Sequence, residues 1–187
     1  MNNLFLSELA AQMREFSLKP GDAHYNAAKA IDDYSFLVEY MNPMIHLKVK
    51  KTHPDAIIPQ YQTKGAGCFD LHAINGARVP ARGGTATFDT GLSFEIPEGH
   101  TMLVYSRSGH GFKNGLRLCN SVGVIDADFR GGVAVKLVND SPVSFELLKG
   151  DRIAQAMIVP VPRVTITEVS ELSVTERDTK GFGSTGA

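Results

Sequence analysis

The sequence predicts an all-β protein, a jelly roll or β-barrel, with an α-helical extension at its N-terminus. Three observations point there. From Met44 onward, short apolar runs alternate with Gly, Pro and Asn, as strands joined by tight turns do. Before Pro43 the apolar residues recur at helical spacing instead. The 187 residues suit one domain with an appendage and can bury a sizeable core.

In chain order, Leu6, Leu9, Ala10, Met13 and Phe16 form the first helical stripe. Lys19-Pro20-Gly21 supplies a turn, and Asp22 is placed to cap a second helix. That helix carries Ala23, Ala27, Ala30, Ile31, Tyr34, Leu37 and Val38 along one face. The expected strands are His46–Lys51, Cys68–Ala73, Thr85–Phe88, Leu92–Ile96, His100–Tyr105, Leu116–Cys119, Val133–Asn139, Val143–Leu148, Ile153–Pro160 and Val164–Val169. The polar end, Ser170–Thr179 followed by Gly181–Ala187, cannot form a core and is expected to be disordered or used. The chain thus divides into a helical extension at 1–43, a β core at 44–170 and a flexible arm at 171–187.

Charge excludes some functions. Nineteen basic residues face twenty acidic ones, for a formal net charge of −1. Direct nucleic-acid binding driven by phosphate neutralisation is not expected from that balance. A polyanionic ligand must be held by a few local cations or by a metal. Cys68 and Cys119 lie far apart, with no zinc spacing, and read as buried free thiols in a reducing compartment. No apolar run approaches the ~18 residues of a membrane span. The N-terminus lacks a basic leader and meets Glu8 early, so a cytoplasmic location without membrane contact is expected.

Five short segments carry chemistry-bearing residues. Gly65–Leu71 sets Asp70 inside an apolar strand. Ser106-Arg107-Ser108-Gly109, followed by Lys113, suits contact with an anion. Asn120–Gly131 holds Asp126 and Asp128, which can bind metal, orient water or close a turn. Gly150–Gln155 runs from a turn into a strand with one polar residue, Gln155. Gly181–Gly186 offers backbone N–H groups and hydroxyls to phosphate oxygens, and Phe182 to a flat ring. It lacks the lysine and following helix of a P-loop.

In this order the five segments resemble the five motifs of the homotrimeric dUTPase family. Gly65–Ala73 looks like the first, Ser106–Lys113 the second, Asn120–Gly131 the third, Gly150–Gln155 the fourth and Arg177–Gly186 the fifth. The resemblance covers residues 44–187, which open with the family's Met-x-x-Leu-Lys-Val-Lys. It implies hydrolysis of dUTP to dUMP and pyrophosphate, which keeps uracil out of DNA and supplies dUMP for dTMP synthesis. Asp126 corresponds to the residue that activates water for in-line attack on the α-phosphorus, acting largely by orientation. Arg107, Ser108, Gly109, Gln155, Arg177, Gly183, Ser184 and Thr185 correspond to positions that contact substrate, most of them at the phosphates. The hairpin Leu116–Val124 would read uracil, with Asn120 assisting and Val124 at its edge. Phe129 would lie under the deoxyribose and exclude a 2′-hydroxyl, and Phe182 would stack on the base. Mg²⁺ would sit on triphosphate oxygens and water, with Asp70 acting from behind that shell. The family assembles as a homotrimer with shared active sites.

The sequence departs from the family at several points. Phe129 stands where Tyr is usual, keeping the ring and losing the hydroxyl. The second motif usually reads Pro-Arg-Ser-Gly-Leu, whereas Ser106 and His110 occupy its ends here. Asp178-Thr179-Lys180 replaces a Gly-rich triplet, with the Arg177 to Phe182 spacing kept and Lys180 placed to add a phosphate contact. Asp128 reads as a turn residue. One alternative is dCTP deaminase, alone or bifunctional, which shares the fold but needs a Glu where Lys136 stands. The other is a dUTPase-like regulatory binding protein, with residues 1–43 docked outside the trimer or offered to a partner.

Overall fold

Eleven strands and one π-helical turn build the described part of the chain. They are β1 (Lys48–Lys51), β2 (Phe69–His72), β3 (Ala77–Val79), β4 (Gly84–Asp89), β5 (Leu92–Glu95), β6 (His100–Tyr105), β7 (Leu116–Leu118), β8 (Val122–Ile125), β9 (Ala134–Asn139), β10 (Phe145–Leu147) and β11 (Arg152–Pro160). The π-helical turn is His110–Asn114, and no other helix occurs among the described residues. This computed structural model describes residues 45–181. The two N-terminal helices expected from the sequence, and the arm from Phe182 on, lie outside them. The chain divides into two units, Met1–Val49 and Lys50–Ala187, and the second holds all the elements discussed below.

Alternation along the strands explains the layers. In β9, Val135 and Leu137 are buried while Ala134 and Lys136 face out, the period of two that a half-buried strand requires. One sheet runs in the order β2-β11-β6-β8 and another β4-β9-β7, with β10 paired to β3. The pairs β2–β11, β11–β6, β6–β8, β4–β9, β9–β7 and β3–β10 are antiparallel. The core draws on both larger sheets: Leu71, Met102 and Ile153 from the first, Phe88, Leu116 and Leu137 from the second. Each such side chain contributes about 1.5–3 kcal/mol by leaving water.

The connection that matters most for function is the short hairpin β7–β8. Its first arm pairs with β9 and its second with β6, so the two arms belong to different sheets and splay apart.

Three sequence expectations need correction. Val164–Val169 is not a strand, and Ile166 is 92% exposed, because no strand of the same chain pairs with it among the described residues. Cys119 is exposed and Cys68 only half-buried, both as free thiols, since Cys119 falls where β7 ends at the splayed hairpin. β3 was not expected; it is three residues with Arg78 at its centre, held by pairing with β10 from much further along the chain. No helix among the described residues is long and apolar enough to cross a membrane.

Candidate active site

Asp70 anchors the first half of the site. It sits in β2, is only 6% exposed, and faces the start of β11, where Gln155 lies directly opposite it. Arg107 Nε donates to its Oδ1 at 2.9 Å and Arg152 Nη1 to its Oδ2 at 3.1 Å. Two guanidinium groups on one carboxylate leave a local excess of positive charge at the surface. Gln155 also faces Tyr105 of β6, and its Nε2 donates to the carbonyl of Ser106 at 3.0 Å. Ser106 Oγ in turn accepts the Leu118 N–H at 2.9 Å. Sheet order β2-β11-β6 therefore brings the first, second and fourth segments together. Ser108 and Gly109 follow Arg107 on the exposed rim, and a Cβ at Gly109 would meet only open space, so an anion can approach the backbone there.

Neighbouring groups respond to this cluster. Burial lowers the pKa of His72, Asp70 pulls it back up, and Arg152 and Arg107 lower it further. Its buried Nδ1 has no hydrogen-bond partner. Burial, and then Asp70, push the Cys68 thiol up. As for a metal, both Asp70 oxygens already accept from arginine, and no group of three or more His, Cys, Asp or Glu among the described residues could hold an ion. A divalent ion here would therefore have to draw its ligands from a bound polyanion and water rather than from Asp70.

The second half of the site is built on the hairpin and the turn after it. Ser121 turns the tip in the left-handed region, and Val122 N–H donates to Asn120 O at 2.6 Å. Between the splayed arms lies a cavity of about 330 Å³, lined by Leu118, Asn120, Gly123, Val124, Val135 and Lys136. Gly123 is closely packed there: a Cβ would stand 3.2 Å from Val104 Cβ and 3.7 Å from Asn120 Nδ2, so Val104 would have to give by a few tenths of an ångström.

Asp126 leaves the end of β8, whose last carbonyl, Ile125 O, accepts from Thr101 Oγ1 at 2.7 Å. The carboxylate is exposed and lines an open cavity of about 700 Å³ with Asp128, Arg130, Glu98 and His100. Phe129 N–H closes the turn onto Asp126 O at 3.1 Å, and Arg130 Nη1 donates to Ala127 O at 2.6 Å and Phe129 O at 3.0 Å. Asp128 lies exposed within this turn. The Phe129 ring crosses Gly131, where a Cβ would stand 2.5 Å from Cζ. Val124 lines both cavities, with Asn120 in the first and Asp126 in the second, and Phe129 N–H bonds back to Asp126 O. Arg107, Ser108, Gly109 and Gln155 cluster at the other end of β6 from Asp126, on the side of the hairpin tip.

Arg177 belongs to neither group. It is exposed, and its Nε donates to Lys180 O at 3.1 Å. Phe182, Gly183, Ser184 and Thr185 lie outside the described residues. Lys136 is exposed in β9 at the cavity wall, so the glutamate that deamination needs is absent where the alternative reading requires it. Sequence reasoning missed Arg152, Ser106 and His110. Arg152 carried no sequence signal of its own, because its pairing with Asp70 follows from the register of β11 on β2.

The sequence profile of the dUTPase family matches residues 54–186. A deoxyuridine 5′-triphosphate nucleotidohydrolase of Nautilia profundicola is 49% identical over 140 residues, covering 75% of this chain and 98% of its own. One of Helicobacter hepaticus is 44% identical over 142 residues, covering 76% and 89%. The solved dUTPase of Staphylococcus bacteriophage 80alpha with dUPNHPP superposes with a TM-score of 0.71 at 29% identity, covering 76% of this chain and 99% of that one. With the profile spanning most of the β unit and the whole of the fifth segment's glycine-rich run, the chain belongs to the dUTPase family.

Proposed function

We propose that this chain hydrolyses dUTP to dUMP and pyrophosphate in active sites shared among three identical subunits. One observation carries the reading. The turn after β8, which carries Asp126, and the arginine cluster are each half of a nucleotide site, and they leave the antiparallel pair β6–β8 at opposite ends. From Thr101, beside Asp126, to Arg107 the chain at ~3.3 Å per residue covers roughly 20 Å. A contact that passes one chain's turn to the next chain's arginines is head-to-tail, and it closes only as a ring. The exposed run with Val164, Ile166, Leu172 and Val174 supports a ring as well, since so apolar a segment needs a neighbour to cover it. That run leads to Arg177 and the glycine-rich end, which can then reach a third chain.

The residues divide the work as follows. Uracil enters between the splayed arms, where backbone groups and Asn120 read its edge. Cytosine would leave polar groups there unpaired. Phe129 lies beneath the deoxyribose and excludes a 2′-hydroxyl. Arg107, Ser108, Gly109 and Gln155 hold the phosphates, with Arg177, Gly183, Ser184 and Thr185 closing from the arm and Phe182 over the base. Asp126 orients the attacking water and takes its proton. Mg²⁺, bound through phosphate oxygens and water, supplies charge neutralisation. Compartment follows chemistry: the reading places the protein with the cytoplasmic nucleotide pool.

The test is pyrophosphate release from dUTP, dCTP, dTTP and UTP in the presence of Mg²⁺. Turnover of dUTP alone is expected. Equal turnover of all four, or none of dUTP, would overturn the reading.

A further inference from the structure

We infer that His110 is a positioning residue that locks the loop of the second motif onto the start of β11 and so holds the arginine pair that receives the triphosphate. The inference rests on the function proposed above. It concerns a residue that departs from the family's usual leucine.

His110 opens the π-helical turn His110–Asn114, and that turn buries none of its side chains. Hydrophobic packing therefore does not hold it down. Its attachment is polar, and most of it passes through one ring. His110 Nε2 lies 2.9 Å from the carbonyl of Arg152, which can only accept, so Nε2 carries the proton and donates. Nδ1 is then bare and accepts from Asn114 Nδ2 at 3.3 Å, one turn on. The edge of Phe145 meets the ring at 6.1 Å between centroids and 79° between planes, fixing its third side. Both ring nitrogens and the aromatic contact thus engage the side chain.

The consequence is a closed circuit. His110 holds the Arg152 backbone, and Arg152 Nη1 reaches Asp70 Oδ2 at 3.1 Å. Asp70 Oδ1 holds Arg107 Nε at 2.9 Å, and the Arg107 carbonyl accepts the Gly111 N–H at 2.9 Å, next to His110. The circuit runs from the second motif through the fourth and the first and back to the second. Ser108 and Gly109, the proposed phosphate contacts, lie inside this circuit with no anchoring side-chain bond of their own among the described residues. Opening it at His110 leaves the Asp70 pairs intact but frees the loop that presents those two residues. A leucine fills similar volume but cannot donate to the Arg152 carbonyl.

Two variants separate the donor from the ring. His110→Phe keeps an aromatic edge against Phe145 and loses the donor, whereas His110→Gln keeps an N–H at comparable reach and loses the ring. For His110→Phe the KM for dUTP is expected to rise about tenfold, the order of one lost hydrogen bond, with kcat within about threefold of wild type. His110→Gln is expected to restore KM to within about twofold. Amide exchange of residues 107–113 in the nucleotide-free protein is expected to quicken in His110→Phe and not in His110→Gln, at unchanged melting temperature in both. An unchanged KM in His110→Phe, unchanged exchange, or equal impairment in the two variants would overturn the proposal. Were the wild-type chain inactive on dUTP while the exchange pattern held, the lock would stand and the functional reading would fall.

Discussion

Asp126 and Arg107 leave the antiparallel pair β6–β8 from opposite ends. Val122 faces Tyr105 at one end, just before Arg107, and Ile125 faces Met102 at the other, just before Asp126. No loop movement of a few ångströms brings them together within one chain. Subunits inactivated separately should therefore complement each other. Asp126→Asn alone should keep nucleotide binding and lose about 10²–10⁴-fold in kcat, the usual scale of a positioned base. Arg107→Ala should be impaired chiefly in binding. Mixed in equal amounts, unfolded and reassembled, the two should regain about a quarter of wild-type activity, because each site draws its halves independently from neighbours. No gain over the separate variants would mean that each chain builds its own site.

The contact of Phe129 with Gly131 makes sugar selection testable without touching the ring. A Cβ at 131 would stand 2.5 Å from Phe129 Cζ and 3.0 Å from Cε2, so Gly131→Ala must push the ring off its seat. Turnover of UTP relative to dUTP should rise about tenfold or more, since discrimination by steric exclusion weakens when the excluding group moves. Parallel kinetics with dUTP and UTP measure it. An unaltered ratio with a displaced ring would remove Phe129 from its role.

Much of the fold was legible because period-two burial is written locally. β6 occupies His100–Tyr105 as the apolar pattern indicates, and β9 and β11 fall within a residue of expectation. What escaped depends on partners distant in the chain. β3 owes its existence to β10, and Val164–Val169 has strand composition but no strand beside it. The site shows the same division. Asp70 was visible as an acid in an apolar strand, but its partner Arg152 lies 82 residues away and announces nothing. His110 read as a departure without a role because its acceptor, a backbone carbonyl, has no signature in any sequence.

The histidine beside the arginine cluster should set an acid limit on stability. Burial lowers the His72 pKa from its ordinary 6.5, against Asp70 and with Arg152 and Arg107. The folded chain therefore prefers the neutral ring, and the unfolded chain takes up the proton first as pH falls. This contribution to stability is complete above about 6.5 and declines as pH drops through the lower folded value. His72→Gln, neutral in both states, should lose less melting temperature than wild type over that interval. Melting curves of the nucleotide-free proteins from pH 7.5 downward, roughly to pH 5, compare them. Identical slopes would show that His72 titrates alike folded and unfolded.

Ser106 stands where the family usually has proline, and its hydroxyl does something proline cannot. Oγ accepts the N–H of Leu118 at 2.9 Å, and Leu118 is buried at the end of β7. The bond ties the strand that carries the arginine loop to the strand that opens the base-reading hairpin. Ser106→Ala leaves that buried N–H without an acceptor, at a cost of about 1–3 kcal/mol. Ser106→Thr keeps a hydroxyl and should stay close to wild type. The Gln155 bond goes to the Ser106 carbonyl and survives both changes, so KM for dUTP should move little in either variant. Chemical denaturation with KM measured alongside separates the two effects. A rise in KM without loss of stability in Ser106→Ala would instead place the hydroxyl among the groups that meet substrate.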